Sequence, residues 1–74
     1  MKRYEFHLRI SPHDYLDYYR GVVQAVIVST ASGQRLQFPA SMLRPFVTDA
    51  GIEGNFVLLC DENNKCIELR RVGH

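Results

Sequence analysis

The 74-residue sequence lacks most of the features that reveal a function directly. It has no tryptophan, two cysteines and three histidines, and its formal net charge is +1. A net charge so close to zero produces no overall field that would attract nucleic acid or a membrane surface. The composition is 46% hydrophobic and 23% charged, which excludes a disordered chain. We therefore predict one small folded domain covering residues 1–74.

Long apolar segments are also absent. The N-terminal stretch MKRYEFHLRI has neither an apolar run of signal-peptide length nor a small-residue cleavage pattern. No stretch approaches the roughly 20 apolar residues that span a bilayer. The sequence therefore predicts a cytoplasmic protein without membrane association. In that compartment the two cysteines are expected to be reduced thiols rather than a disulfide.

The residue types that usually carry chemistry form no recognisable motif. Cys60 and Cys66 are separated by five residues, a spacing that matches no zinc template. Ser11 and Ser41 lack the glycine-flanked turn of a hydrolase nucleophile, and no glycine-rich loop is suited to hold a phosphate. We therefore predict no catalytic residue, no metal site and no cofactor, and an enzyme ranks below any binding function.

The hydrophobic pattern predicts an α+β fold with the element order β-α-β-β-α-β-β. The expected elements are a strand at 3–10, a short helix after Ser11, strands at 22–30 and 34–38, helical turns after Pro39, and strands at 56–60 and 66–72. We expect a small bent antiparallel sheet or partial barrel of about five strands, with one or two short helices over its open side. Val22–Thr30 is apolar on both faces apart from Gln24, so it is predicted to be the most central strand.

The last hairpin has two alternative registers. A turn made of its two asparagines pairs Cys60 with Ile67, whereas a longer turn pairs Cys60 with Cys66. We favour the first register, because it keeps the charged side chains of the last strand off the apolar face. In that register the two cysteines point to opposite faces.

The segment Phe38–Phe56 combines residues that fix the backbone with residues that fill a core. It contains two of the three prolines and two of the five glycines, so it is expected to hold one shape. Arg44 lies within it, between a leucine and a proline. One hypothesis is a buried structural arginine, bonded to turn carbonyls or to Asp49 or Glu53. The other is an anion anchor for a phosphate or for a carboxylate of a partner.

The short helix supplies further candidate binding residues. Tyr15 and Tyr19 are one turn apart and share a face, with Tyr18 and Arg20 beside them. Tyrosine and arginine are typical of the residues that dominate protein interfaces. Together with Arg44, they predict a non-enzymatic module that binds an unknown protein partner or a second copy of itself. This interaction module is the leading hypothesis.

A nucleic-acid-binding domain is the alternative. Every basic residue except Lys2 and Lys65 is an arginine. On the predicted strands, Arg35, Arg70 and Arg71 would bind phosphates while exposed tyrosines stack on single-stranded bases. The near-zero net charge counts against this function, because phosphate binding needs a local positive excess. A third interpretation is that the tyrosine rings pack on the sheet and the arginines are simply solvated.

Two stretches of the sequence resemble a known family. They are YLDYYRG, Tyr15–Gly21, and GQRLQFPASMLRPFVTDAGIEGNF, Gly33–Phe56. The chain is similar over nearly its whole length to a family of short bacterial proteins, the domain-of-unknown-function family 2835. The resemblance implies a bacterial, cytoplasmic protein. Because that family has no established activity, the resemblance implies no functional residue, and both cysteines lie outside the shared pattern.

Overall fold

The computed structural model describes residues 1–73 and confirms the predicted α+β class and element order. Its elements are β1 (Lys2–Ile10), α1 (Pro12–Tyr19), β2 (Ala25–Ser29), β3 (Arg35–Pro39), the 3₁₀ helix η1 (Ala40–Phe46), β4 (Ile52–Cys60) and β5 (Cys66–Val72). Within the described residues, neither helix has the length and apolar character needed to cross a membrane.

The strands form two antiparallel sheets rather than one continuous sheet. The larger sheet has the order β1-β4-β5, and β2 and β3 form a separate hairpin. The hairpin meets both edges of the larger sheet. The Ala31 N–H donates to the Glu5 carbonyl of β1 at 3.2 Å, and the Cys66 Sγ of β5 lies 3.9 Å from the Gln37 carbonyl of β3. The result is a partial barrel that is not closed.

The central strand is β4, and the prediction that the strand at 22–30 is the most central was wrong. β4 pairs with both β1 and β5, whereas β2 pairs with β3 alone among the described strands. In β2, Val26 and Val28 are buried, but Ile27 between them is 58% exposed. A run of apolar β-branched residues favours a strand, but it does not show whether another layer covers the second face.

The core fills the space between the two sheets and the helices. Its largest fully buried side chains are Phe38, Leu43, Ile52, Phe56 and Leu58. The Phe56 ring stacks on Phe6 at a centroid distance of 6.3 Å and meets the edge of Phe46 at 5.2 Å. Phenylalanines from β4, β1 and η1 therefore meet at one point, in the offset and edge-on geometries that aromatic pairs prefer.

The start of α1 follows from its first residues, as predicted. Ser11 is the N-cap and Pro12 occupies the first turn, where its missing N–H is not needed. The Ser11 Oγ accepts a hydrogen bond from the Asp14 backbone N–H at 3.1 Å. The helix is anchored by Tyr15, which is buried in the core.

Removal of the Ser11 cap is expected to weaken the domain modestly. In Ser11→Ala the Asp14 N–H loses its acceptor, so the free energy of unfolding should fall by about 1 kcal/mol. Ser11→Asp is the matched control, because aspartate caps helices as well as serine does. Urea denaturation monitored by circular dichroism measures both. Equal losses in the two variants would show that the cap bond contributes nothing.

The loop before β4 makes the tightest backbone contact that we find in the fold. Thr48 and Gly51 exchange backbone hydrogen bonds of 2.8 and 2.9 Å, and Gly51 has a φ of +88°. A Cβ at Gly51 would lie 2.1 Å from the Ile10 carbonyl oxygen. The Phe38–Phe56 segment is thus held against the junction between β1 and α1 at a point where only glycine fits.

The register of the β4–β5 hairpin matches the favoured prediction except at its end. Leu58 pairs with Leu69 and keeps that leucine on the core face, as expected. The ladder then shifts after Leu59, so that Cys60 pairs with Cys66 and not with Ile67. The prediction that Cys60 pairs with Ile67, with the cysteines on opposite faces, was therefore wrong.

The turn of this hairpin explains the shift. The Asp61 carboxylate accepts backbone hydrogen bonds from Asn63 and Lys65, each at 2.9 Å. The Asp61 N–H also donates to the Lys65 carbonyl at 3.0 Å, and Asn64 adopts a φ of +63°. Because the Asp61 side chain accepts these hydrogen bonds, the turn is longer than the predicted two-residue turn made of the two asparagines. A β-bulge at Ile67 absorbs the extra residue.

Candidate functional site

The predicted binding residues lie where α1 packs against η1. The three tyrosines have different environments, since Tyr15 is buried, Tyr18 is half-buried and Tyr19 is 63% exposed. The rings of Tyr15 and Tyr18 are 6.4 Å apart. Tyr15 is therefore mainly a core residue, whereas Tyr18 and Tyr19 present aromatic surface to solvent.

The geometry of η1 leaves Arg44 on the outside. A 3₁₀ helix has three residues per turn, so Ala40, Leu43 and Phe46 share its inner face. Ala40 and Leu43 are buried and Phe46 is half-buried, whereas Arg44 is exposed. The hypothesis of a buried structural arginine is therefore wrong. With three residues per turn, η1 directs Leu43 into the core and leaves the adjacent Arg44 on the outside.

Among residues 1–73, the Arg44 guanidinium contacts one aromatic ring and no hydrogen-bond acceptor. Its central carbon lies 5.9 Å from the centroid of the Tyr19 ring, a cation–π distance. Across residues 1–73, the ion pairs join Met1 to Glu62, Arg3 to Glu5 and Arg70 to Glu68, and none includes Arg44. Neither Asp49 nor Glu53 accepts from it. Within the described part of the chain, the donors of this guanidinium therefore have no recorded acceptor.

A small cleft lies beside Arg44. It has a volume of about 210 Å³, and its lining residues are Tyr15, Tyr18, Gly21, Gln24, Ala40, Ser41 and Arg44. Sequence reasoning did not include Gln24 or Ser41 among the binding residues. The signal for Gln24 was present, because it is the one polar residue among the apolar residues 22–28. Ser41 had no such signal, since its place beside α1 depends on tertiary packing.

The predicted residues are brought together to different degrees. Tyr15, Tyr18 and Arg44 line the cleft, and Tyr19 contacts Arg44 from outside it. Arg20 is exposed at the C-terminal end of α1, where its backbone N–H donates to the Leu16 carbonyl. Of the five predicted residues, Tyr15 belongs to the core, and we call the other four the Arg44 surface: Tyr18, Tyr19, Arg20 and Arg44.

The arginines of the nucleic-acid alternative do not share one surface. Arg70 is paired with the Glu68 carboxylate, and the Arg71 guanidinium donates to the Glu53 carbonyl at 2.8 Å. Arg70 and Arg71 are adjacent in β5, so their side chains project to opposite faces of that sheet. Arg35 lies on the other sheet, in β3. The three do not combine into a continuous basic patch.

The remaining polar groups of residues 1–73 include residue types that can act as metal ligands. In the described part of the chain, no group of three or more His, Cys, Asp or Glu residues is placed to hold a metal ion. Of the two histidines that the structure describes, His7 has a side-chain partner, and its Nδ1 lies 3.0 Å from the Asn55 Oδ1 on the outer face of the larger sheet. This pair lies apart from the Arg44 surface.

The fold and this surface define a small α+β domain, an open two-sheet partial barrel with an exposed arginine and tyrosines where its helices meet. The chain matches the model of the protein family of unknown function DUF2835 over residues 2–72, and it belongs to that family. The resemblance in the sequence is thereby confirmed. No curated protein and no solved structure matches the chain.

Proposed function

We propose that this protein is a non-enzymatic interaction module that binds an acidic group of a partner protein through the Arg44 surface. The observation that carries the proposal is the exposed Arg44 guanidinium, held against Tyr19 without a carboxylate partner among the described residues. The proposed location is the bacterial cytoplasm, as the family resemblance implies.

The setting of Arg44 reduces the entropy lost on binding. η1 continues through Pro45, whose fixed φ stiffens the backbone next to Arg44. Contact with the Tyr19 ring further restricts the side chain. A donor group that is ordered before binding loses less entropy when a ligand arrives. Because guanidinium donors match a carboxylate in a two-bond geometry, a glutamate or aspartate side chain is the favoured ligand group.

The tyrosines supply the apolar part of the contact. Tyr19 contacts Arg44 and is exposed, and Tyr18 is half-buried and lines the cleft beside Arg44. Aromatic residues and arginine are the residues that most often dominate the binding energy of protein interfaces. A cleft of about 210 Å³ admits one side chain of a partner rather than a whole metabolite. We therefore propose a peptide segment as the ligand.

Substitution of Arg44 is expected to weaken partner binding without affecting the fold. A hydrogen bond to a charged group contributes about 1.5–3 kcal/mol, so Arg44→Ala should weaken binding at least about tenfold. Arg44→Lys should be intermediate, because lysine keeps the charge and loses the two-bond geometry. The measurement is affinity capture by the immobilised chain with quantitative mass spectrometry, followed by titration of the purified partner.

The matched control is Arg35→Ala, which removes an exposed arginine that lies in β3 and does not line the cleft beside Arg44. This variant should retain every partner that the unchanged chain captures. The proposal fails if Arg44→Ala, with an intact circular dichroism spectrum, captures the same proteins in the same amounts. Sedimentation at increasing concentration shows whether the partner is a second copy. Salt-dependent binding of single-stranded RNA or DNA that requires Arg35 or Arg70 would instead support the nucleic-acid alternative.

A further inference from the structure

The β-bulge at the end of the β4–β5 hairpin brings two thiols to the same face. Cys60 and Cys66 are directly opposite each other in the antiparallel ladder. Residues in this relation have their side chains on one face of the sheet. Cys60 is 3% exposed within the core, and Cys66 is half-buried and packs against the same core cluster. Both are free thiols in the structure.

Packing alone does not explain this arrangement. In the register without the bulge, Ile67 would take the inward place opposite Cys60. The bulge instead leaves Ile67 50% exposed and turns the smaller Cys66 inward. The apolar area of an isoleucine is thus left in water while a second sulfur faces the first. Bulges often change the direction of a side chain near functional sites in this way.

The two cysteines differ in access. Cys66 is reached from solvent at the seam between the sheets, where its Sγ lies 3.9 Å from the Gln37 carbonyl. Burial, and then the neighbouring Cys66 thiol, raise the pKa of the Cys60 thiol to about 11. Cys60 therefore remains protonated at neutral pH, and Cys66 is the group that meets a reagent first.

We propose that Cys60 and Cys66 are a redox-active pair that closes to a disulfide by exchange with a small disulfide such as oxidised glutathione. Directly opposite residues of an antiparallel ladder have Cα atoms about 4.5 or 5.5 Å apart. Both separations lie within the usual range for a disulfide, about 4.4–6.8 Å. The pair therefore closes without a large movement of the backbone.

The exchange has two balanced steps. The Cys66 thiolate attacks one sulfur of oxidised glutathione, the sulfur–sulfur bond breaks, and one glutathione thiolate leaves. Cys60 then gives its proton to solvent and attacks the Cys66 sulfur, which releases the second glutathione thiolate. The pair loses two electrons and two protons, and the small disulfide is reduced to two thiols. Cys66 also loses the thiol hydrogen that it directs at the Gln37 carbonyl, so one hydrogen bond between the two sheets is lost.

Oxidation of the intact chain tests the pair directly. The chain is equilibrated at neutral pH with increasing ratios of oxidised to reduced glutathione and then quenched with acid. We expect the two free thiols to disappear together and the mass to fall by two hydrogen atoms, with no glutathione attached. The proposal is overturned if both thiols survive excess oxidant, if glutathione stays on Cys66, or if the chains become linked to one another.

Two single variants separate the steps. Cys60→Ser should stop at a stable mixed disulfide on Cys66, because the second attacking sulfur is missing. Cys66→Ser should remain unmodified, because Cys60 is buried. Modification of Cys60 in the folded Cys66→Ser chain at the same rate would contradict the proposed order. The measurement on the unchanged chain decides the proposal even where a variant does not fold. The pair is independent of the Arg44 surface, so either proposal can fail alone.

Discussion

Gly51→Ala is expected to leave the chain largely unfolded. An added Cβ would lie 2.1 Å from the Ile10 carbonyl oxygen and 2.9 Å from two further backbone atoms, the Pro12 nitrogen and the Ser11 carbonyl carbon. All three atoms are backbone, so no side chain can rotate to make room. The residue also has a φ of +88°, which strains any residue with a Cβ by about 1–2 kcal/mol.

The size of this effect follows from how small the domain is. A 74-residue chain is near the lower end of domain stability, roughly 5 kcal/mol. The strain at Gly51 and the displacement of the β1–α1 junction together exceed what such a domain can lose. Far-ultraviolet circular dichroism and a one-dimensional NMR spectrum of the purified variant measure the folded fraction.

Gly33→Ala is a closely matched control. Gly33 has a φ of +89°, almost the same as that of Gly51, but a Cβ there meets no atom within 4 Å. The control should therefore show only the backbone strain, about 1–2 kcal/mol, and should stay folded. The difference between the two variants isolates the close approach to Ile10. Equal stabilities would contradict the tight contact at that junction.

Phe56→Ala is expected to have the second-largest effect on stability. Phe56 is fully buried in the central strand, and its ring contacts the rings of Phe6 and Phe46. Truncation of a buried phenylalanine costs about 3–5 kcal/mol through lost burial and the cavity that remains. In a domain of this size, each kcal/mol lowers the melting temperature by about 4–8 °C. Differential scanning calorimetry measures the shift.

Ile27→Ala provides the comparison for this variant. Ile27 is also apolar and lies in a strand, but its side chain is 58% exposed. Its truncation should change the stability by no more than about 0.5 kcal/mol. A loss below about 1 kcal/mol for Phe56→Ala would mean that the three phenylalanines do not form the centre of the core.

Local patterns in the sequence predicted most of the elements. The alternation in β1 and the cap at Ser11 involve near neighbours, so they can be read without knowledge of the fold. The division into two sheets could not be read in this way. The division arises because β4, and not β2, pairs with a strand on each side. Which strand pairs on both sides is decided by contacts between distant parts of the chain.

The candidate site was also predicted only in part, because some of its features depend on local sequence and others on the tertiary fold. Tyr18, Tyr19 and Arg44 were identified from residue type and spacing, and the structure places them close together. The sequence left open whether Arg44 is buried or exposed, because its exposure depends on a helix with three residues per turn. Cys60 and Cys66 lie on the same face because of a β-bulge. The bulge depends on hydrogen bonds made by Asp61 in the hairpin loop.

The open barrel also has a consequence for solubility. β5 pairs with β4 alone among the described strands, so its other side is an edge to which a strand of another molecule could add. Beyond Cys66, that edge carries Glu68, Arg70 and Arg71, and all three are exposed. Charged side chains along an edge strand discourage pairing between molecules. The arginines of β5, which do not form a basic patch, therefore protect the chain against aggregation where its barrel stays open.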